Sequence, residues 1–184
     1  MCIRDRDYLI EEHSKSGLPV IVINPSFMIG EHDTKPGSGK MVLSIMNEKI
    51  PVCSKGGRCF TYVGDVAIAT VNSLSMGRLG ECYITGGINL SYSEFFSITA
   101  DIAKVKAPKV CPPPILMLPM AWLMELVGRI RNKTPLLSRA MIRVAMDGHY
   151  YSSAKAQKEL DMPETDIRIA VAKTINWFRE NGYK

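Results

Sequence analysis

The chain has 184 residues, of which 46% are hydrophobic and 22% charged, and a formal net charge of +5. That composition excludes a disordered, collagenous or coiled-coil protein and suits one packed unit with its own hydrophobic core. The lysines and arginines are scattered rather than gathered in a stripe, which argues against a nucleic-acid partner. Five cysteines without a C-x-x-C, and three histidines far apart in sequence, argue against a metal site. The longest apolar stretch, Ile115 to Leu126, contains Pro119 and Glu125 and falls short of the ~20 residues of a membrane span, so it reads as a buried helix. Reduced thiols and an opening unlike a signal peptide lead to the expectation of a cytoplasmic protein.

In chain order, the first segment is set apart. Met1 to Arg6 is what ATG TGT ATA AGA GAC AGR encodes, the transposase end used to build sequencing libraries, so residues 1–6 are expected to be an adapter translation. Authentic sequence is expected from about Asp7, inside a helix whose last turns hold Tyr8, Leu9 and Ile10 and which Gly17 stops. Pro19 to Ile23 is a continuous β-branched run, as in a strand of a parallel sheet, and points to an α/β fold. In such sheets ligands sit beyond the carboxyl ends of strands, here Asn24 to Gly30, and the loop through Gly37 and Gly39 becomes a candidate lid. Phe60 to Val63 is a second strand, and Asp65 is placed to cap a helix reaching Leu74. Cys82 to Thr85 is a third strand, ended by Gly86-Gly87. Ser91 and Glu94 form an S-x-x-E capping box, with Leu90 and Phe95 as its hydrophobic staple, opening a helix from Tyr92 to about Val105. A proline-rich connector, Lys106 to Pro114, leads to four further helices: Ile115 to Val127, Leu136 to Met146, Ser152 to Leu160 and Asp166 to Asn181. After Gly87 the chain thus reads as almost wholly helical.

Three motifs are weighed and set aside. Gly37-Ser38-Gly39-Lys40 lacks the earlier glycine of a phosphate loop, where Thr34 stands, and has Met41 in place of the following Ser or Thr. Thr85-Gly86-Gly87 has Asn89 where a dinucleotide fingerprint needs its next glycine. Tyr151 to Lys155 has the Y-x-x-x-K spacing that lets an ammonium lower a phenol pKa, but it lies far beyond the strands. It reads instead as a helix start with Ser152 as cap and Lys155 in solvent.

Taken together, Gly17 to Ser26, Gly30, Asp33 and Lys35-Pro36, then Phe60 to Ala67, Gly80 to Ile84, Gly87 to Ser91, Lys155-Ala156, Glu159-Leu160 and Trp177-Phe178, resemble the second half of an extended short-chain dehydrogenase/reductase. The branch it is most similar to is the dihydroflavonol-reductase-like and NAD-dependent epimerase/dehydratase group. The resemblance implies an incomplete Rossmann-like parallel sheet over residues 7–87, with an inserted substrate loop, and a mostly helical substrate-binding subdomain over residues 88–184. It also implies hydride transfer with NAD or NADP on a sugar-nucleotide or ketone/alcohol substrate. The family's glycine fingerprint and Tyr-x-x-x-Lys pair would lie upstream of Asp7, so no catalytic residue is assigned and the chain itself is expected to be inactive. By the same resemblance Asn24, Pro25 and Ser26 pass the nicotinamide, and Phe27, Met28, Lys35, Lys40 and Arg58 face a small-molecule substrate. Arg58 matches an arginine that binds diphosphate in UDP-sugar 4-epimerases, although Cys59 stands where those enzymes carry an acid. A homodimer is open for the full-length parent. The rival expectation is an autonomous, non-enzymatic protein-binding module that uses the apolar surface around Trp122 and Met124.

Overall fold

The computed structural model describes residues 3–50, 55–108, 119, 122, 125 and 146–183. The first helix, α1 (Ile3–Ser16), includes residues of the segment set apart above and ends where Gly17 adopts φ +71° and donates its N–H to the His13 carbonyl at 2.9 Å. The strand expected at Pro19 to Ile23 lies further on, as β1 (Val22–Pro25), because its ladder begins only where β4 (Cys82–Thr85) can pair with it, Val22 opposite Cys82. Pro25, with no N–H to give, closes the parallel pair opposite Thr85.

One residue, Ser26, separates β1 from β2 (Phe27–Ile29), and across it the chain changes sheet. β2 runs parallel to β3 (Gly57–Tyr62), pairing Phe27 with Phe60. β3 is also paired antiparallel by β5 (Ile88–Ser91) and, through two residues, parallel by β6 (Gly148–His149). These two strands correct the expectation of an almost wholly helical second half. Each is too short to announce itself, and the pairing with β3 defines both.

The segment expected as a lid is pinned instead. Both oxygens of the Asp33 carboxylate accept the Gly37 N–H, at 3.2 and 3.1 Å, and one accepts the Gly39 N–H at 2.9 Å, which covers the first free donors of α2 (Gly39–Met46). The Tyr183 hydroxyl donates to the Thr34 carbonyl at 2.8 Å, and His32 meets Trp177 edge-on. Asp65 is not the cap of α3 (Val63–Met76): it sits in the first turn, and its two oxygens accept the Thr165 N–H and hydroxyl at 2.8 and 2.7 Å. The capping box at Ser91 and Glu94 forms as read and opens α4 (Tyr92–Ala103), which Lys104 ends at φ 62°. Ser153, rather than Ser152, holds the cap position of α5 (Ala154–Leu160). Asp166 caps α6 (Ile167–Glu180) by accepting the Arg168 N–H. The expected helices Ile115 to Val127 and Leu136 to Met146 lie outside the described residues, apart from Pro119, Trp122, Glu125 and Met146, which are helical.

The sheets bury two cores. The larger joins α2, α4 and α6 to β2 and β3; within it Phe60 stacks on Phe95 with ring centres 4.0 Å apart, and Phe178 is fully buried. The smaller sets Val66 and Ala69 of α3 and Ala156 and Leu160 of α5 against Tyr83 of β4. The chain after Gly87 therefore supplies helices to both cores. No helix among the described residues is long and apolar enough to cross a membrane.

Candidate functional site

Where β1 hands over to β2, the sequence places small polar residues at the carboxyl ends of two parallel strands. The Ser26 N–H extends the β1–β4 ladder by donating to the Thr85 carbonyl at 3.2 Å. Among the described residues its hydroxyl, and those of Thr85 and Thr61, are buried without a hydrogen-bond partner. A buried hydroxyl left unpaired costs about 1–3 kcal/mol, so at Ser26 and Thr85, joined by the ladder, bound water or a ligand's polar atoms would be stabilising. Close packing keeps the spot tight. A Cβ at Gly86 would lie 2.8 Å from the Cys59 sulfur and 3.8 Å from the Ser26 hydroxyl oxygen, so only glycine fits. The Cys59 thiol, 1% exposed, points at the Gly87 and Tyr151 carbonyls at 3.6 and 3.8 Å. An ionised acid there would face two carbonyl oxygens in a dry site, which suits an uncharged thiol at this position.

The residues expected to face substrate separate. Successive residues of a strand leave opposite faces, so Phe27 and Met28 point apart. Met28 packs against the smaller core with Val66 and Tyr83, and its register partner is Thr61. Phe27 lies with Phe60 on the other face, their rings 5.5 Å apart and perpendicular. There the half-buried Arg58 places its guanidinium 5.0 Å from the Phe27 ring centre and donates through Nε to the Tyr92 hydroxyl at 2.6 Å. Asn24 is half-buried and Pro25 exposed at the end of β1. Lys35 and Lys40 are exposed on the pinned segment, and no hydrogen bond among the described residues joins them to Ser26 or Arg58.

The Y-x-x-x-K pair does not form one face of a helix. Tyr151 precedes α5, and its backbone pairs with the Asn89 side chain at 3.0 and 3.1 Å. Lys155 is not solvated as expected: its ammonium donates to Glu81 at 2.7 Å and to the Cys82 carbonyl at 2.9 Å, and lies 4.5 Å from the Tyr83 ring centre. That hydrogen bond, then the lysine's charge, hold the Glu81 carboxyl below its ordinary range. Glu159 is lowered in the same way, first by the Tyr83 hydroxyl and next by Arg78, which grips it with two N–H donors at 3.0 and 2.8 Å. Beside these residues an open cleft of about 400 Å³ is lined by Gly87, Asn89, Tyr150, Tyr151, Ser152, Ser153, Ala154, Gln157 and Glu164. Sequence reasoning missed this cleft, because its walls come from segments some 60 residues apart and carry no local motif. No cluster of metal-ligating side chains occurs among the described residues.

No family model matches the chain. A dihydroflavonol 4-reductase-like protein of Synechocystis sp. is 29% identical over 175 residues, covering 92% of this chain and 51% of its own length. Sterol demethylase protein B of Methylococcus capsulatus is 25% identical over 183 residues, covering 98% of this chain and 55% of that protein. Among solved structures, that of gox2253 superposes with a TM-score of 0.80 at 31% identity, over 98% of this chain and 55% of that one. A nucleoside-diphosphate-sugar epimerase from Pseudomonas aeruginosa follows at 0.77 and 25% identity, over 98% and 54%. The chain therefore spans about half the length of the relatives it matches, and its α/β fold with parallel strands is that of the reductases and epimerases of the short-chain dehydrogenase/reductase type.

Proposed function

We propose, for a chain similar to about half of an extended short-chain dehydrogenase/reductase, that it is the C-terminal part of an NAD(P)-dependent oxidoreductase or epimerase. The observation that carries this reading is the unpaired Ser26 hydroxyl at the carboxyl end of β1, where doubly wound sheets receive their ligands. Solved neighbours point the same way: a UDP-glucuronic acid 4-epimerase from Bacillus cereus is described in complex with UDP-glucuronic acid and NAD, and an RMD protein from Pseudomonas aeruginosa with NADPH.

The residues present fit a nicotinamide amide group. Ser26 can donate and accept at once, Asn24 offers a side-chain amide at the end of the same strand, and exposed Pro25 presents an apolar edge. When bound, NAD(P) supplies the site that takes up or gives back a hydride. The chain's own part is to fix the amide's orientation through Ser26, while the tightly packed Gly86 and Cys59 leave little room for water behind it. Arg58, beside Phe27 and Tyr92, binds the substrate end, a sugar nucleotide or a ketone or alcohol.

Without an acid/base pair or a phosphate-binding glycine turn, the 184-residue chain neither binds the cofactor tightly nor turns over. Two preparations test this: the chain alone and the chain extended through its upstream coding frame, each titrated with NADH and NADPH by fluorescence. Binding by the extended protein only is expected. Micromolar binding by the chain alone overturns the division of labour, and an upstream frame without a Tyr-x-x-x-Lys helix overturns the enzyme itself.

A further inference from the structure

We infer that Tyr92 is a positioning residue for Arg58, setting the guanidinium so that its two terminal amino groups meet an oxyanion of the substrate, a phosphate or a carboxylate. This deepens the reading of Arg58 as substrate-facing and rests on it.

An arginine free to rotate loses much of its preference for a planar, two-oxygen partner. Here two contacts fix the group. Phe27 lies under its face at 5.0 Å from the ring centre, and the Tyr92 oxygen takes the Nε–H at 2.6 Å. With Nε engaged, the edge left is Nη1 and Nη2, the fork that makes parallel hydrogen bonds to two oxygens. No carboxylate among the described residues pairs with Arg58, whereas Arg78 and Arg168 each hold one. In register beside Arg58 on β6 stands His149, a second nitrogen-bearing residue on the neighbouring strand.

Tyr92 is itself rigidly held. It is 4% exposed, is the first residue of α4, lies between the two members of the capping box, and gives its backbone N–H to the Gly56 carbonyl at 3.0 Å. Its oxygen accepts from Arg58, so its own proton can point to the same oxyanion. A phenylalanine would keep the ring's packing against Phe96, 5.9 Å away, and lose only the hydroxyl.

The test titrates the 184-residue chain, without cofactor, with inorganic pyrophosphate in one arm and malonate in the other, which separates a phosphate from a carboxylate substrate. Wild type is expected to bind one of them, and Tyr92→Phe to bind it about tenfold more weakly. In an Arg58→Lys background, which has no Nε–H, Tyr92→Phe is expected to add no further loss. A merely structural tyrosine would act alike in both backgrounds. Equal affinity of Tyr92→Phe and wild type, an equal loss in the lysine background, or no binding of either oxyanion overturns the inference. Should Tyr92→Phe fail to fold, Arg58→Lys alone decides, and retention of wild-type affinity overturns it. Because no cofactor is present, these outcomes are independent of whether the extended protein binds NAD(P)H.

Discussion

The larger core and the sheet crossing at Ser26 are built from neighbouring strands to opposite standards. In the core, aromatic rings stack and interlock, Thr99 and Thr174 return their hydroxyls to backbone carbonyls at 2.8 and 2.7 Å, and the helix entering it is capped at both ends of its first turn. At the crossing, the hydroxyls of Ser26 and Thr85 are buried with no partner among the described residues. Stability in this chain is concentrated in one region, and unmet hydrogen-bonding capacity in the other. Such a division is expected when a scaffold holds a site whose missing partner arrives from outside.

The strongest way to break the contrast is to empty the core. Phe178→Ala removes a fully buried ring and should cost about 3–5 kcal/mol, read as a lower urea midpoint with an unchanged slope. Next, Asp65→Ala strips two hydrogen bonds from Thr165 to a buried carboxylate and should cost about 2–3 kcal/mol by the same measurement. Ser91→Ala, which opens the capping box, should cost about 1 kcal/mol. At the crossing the sign reverses: Thr85→Val, an isosteric change that removes an unpaired hydroxyl, should leave stability equal or slightly higher, and a clear loss would show that the hydroxyl has a partner after all.

The smallest effect is one of pH. Glu81 and Glu159 titrate below the ordinary glutamate value of 4.5, so the unfolded chain binds their protons first. Their contribution is complete above that value and is lost as pH falls through the lowered ones. Melting temperature should therefore decline below about pH 4.5, and Lys155→Met should flatten that decline by removing the leading cause of the Glu81 shift.

What could be read from the sequence follows from the range of each signal. The capping box at Ser91, the strand Cys82–Thr85 and the helix between Asp166 and Asn181 rest on residues within a turn of one another, and all three are found as read. The start of β1 and the existence of β5 and β6 depend on partners elsewhere in the chain, and none was legible. The capping of α2 by Asp33 is local, but it comes from six residues before Gly39 while Ser38 holds the cap position without a side-chain bond, so no capping pattern announces it. The site was no more legible. Phe27–Ile29 was expected to lie beyond a strand end, so the alternation that separates Phe27 from Met28 stayed hidden, and nothing in the sequence couples Arg58 to a tyrosine 34 residues later or Lys155 to Glu81 across 74.

The attachment of α5 to β4 has a consequence for how the chain acquires its shape. The polypeptide leaves the smaller core after Gly86, lays α4 into the larger one, and comes back at Ala154 to fasten Lys155 and Glu159 onto residues 73 to 76 positions earlier, before α6 returns to the larger core. Closing so long a loop is entropically slow, and α6 reaches further still, Lys173 meeting Tyr62 across 111 residues, so both cores should be completed late in folding. A ribosome must also have released the final helix pair before either sheet gains its full cover. Until then Tyr83 lacks α5 and Phe60 lacks α6, and neither half can serve as a finished scaffold for the other.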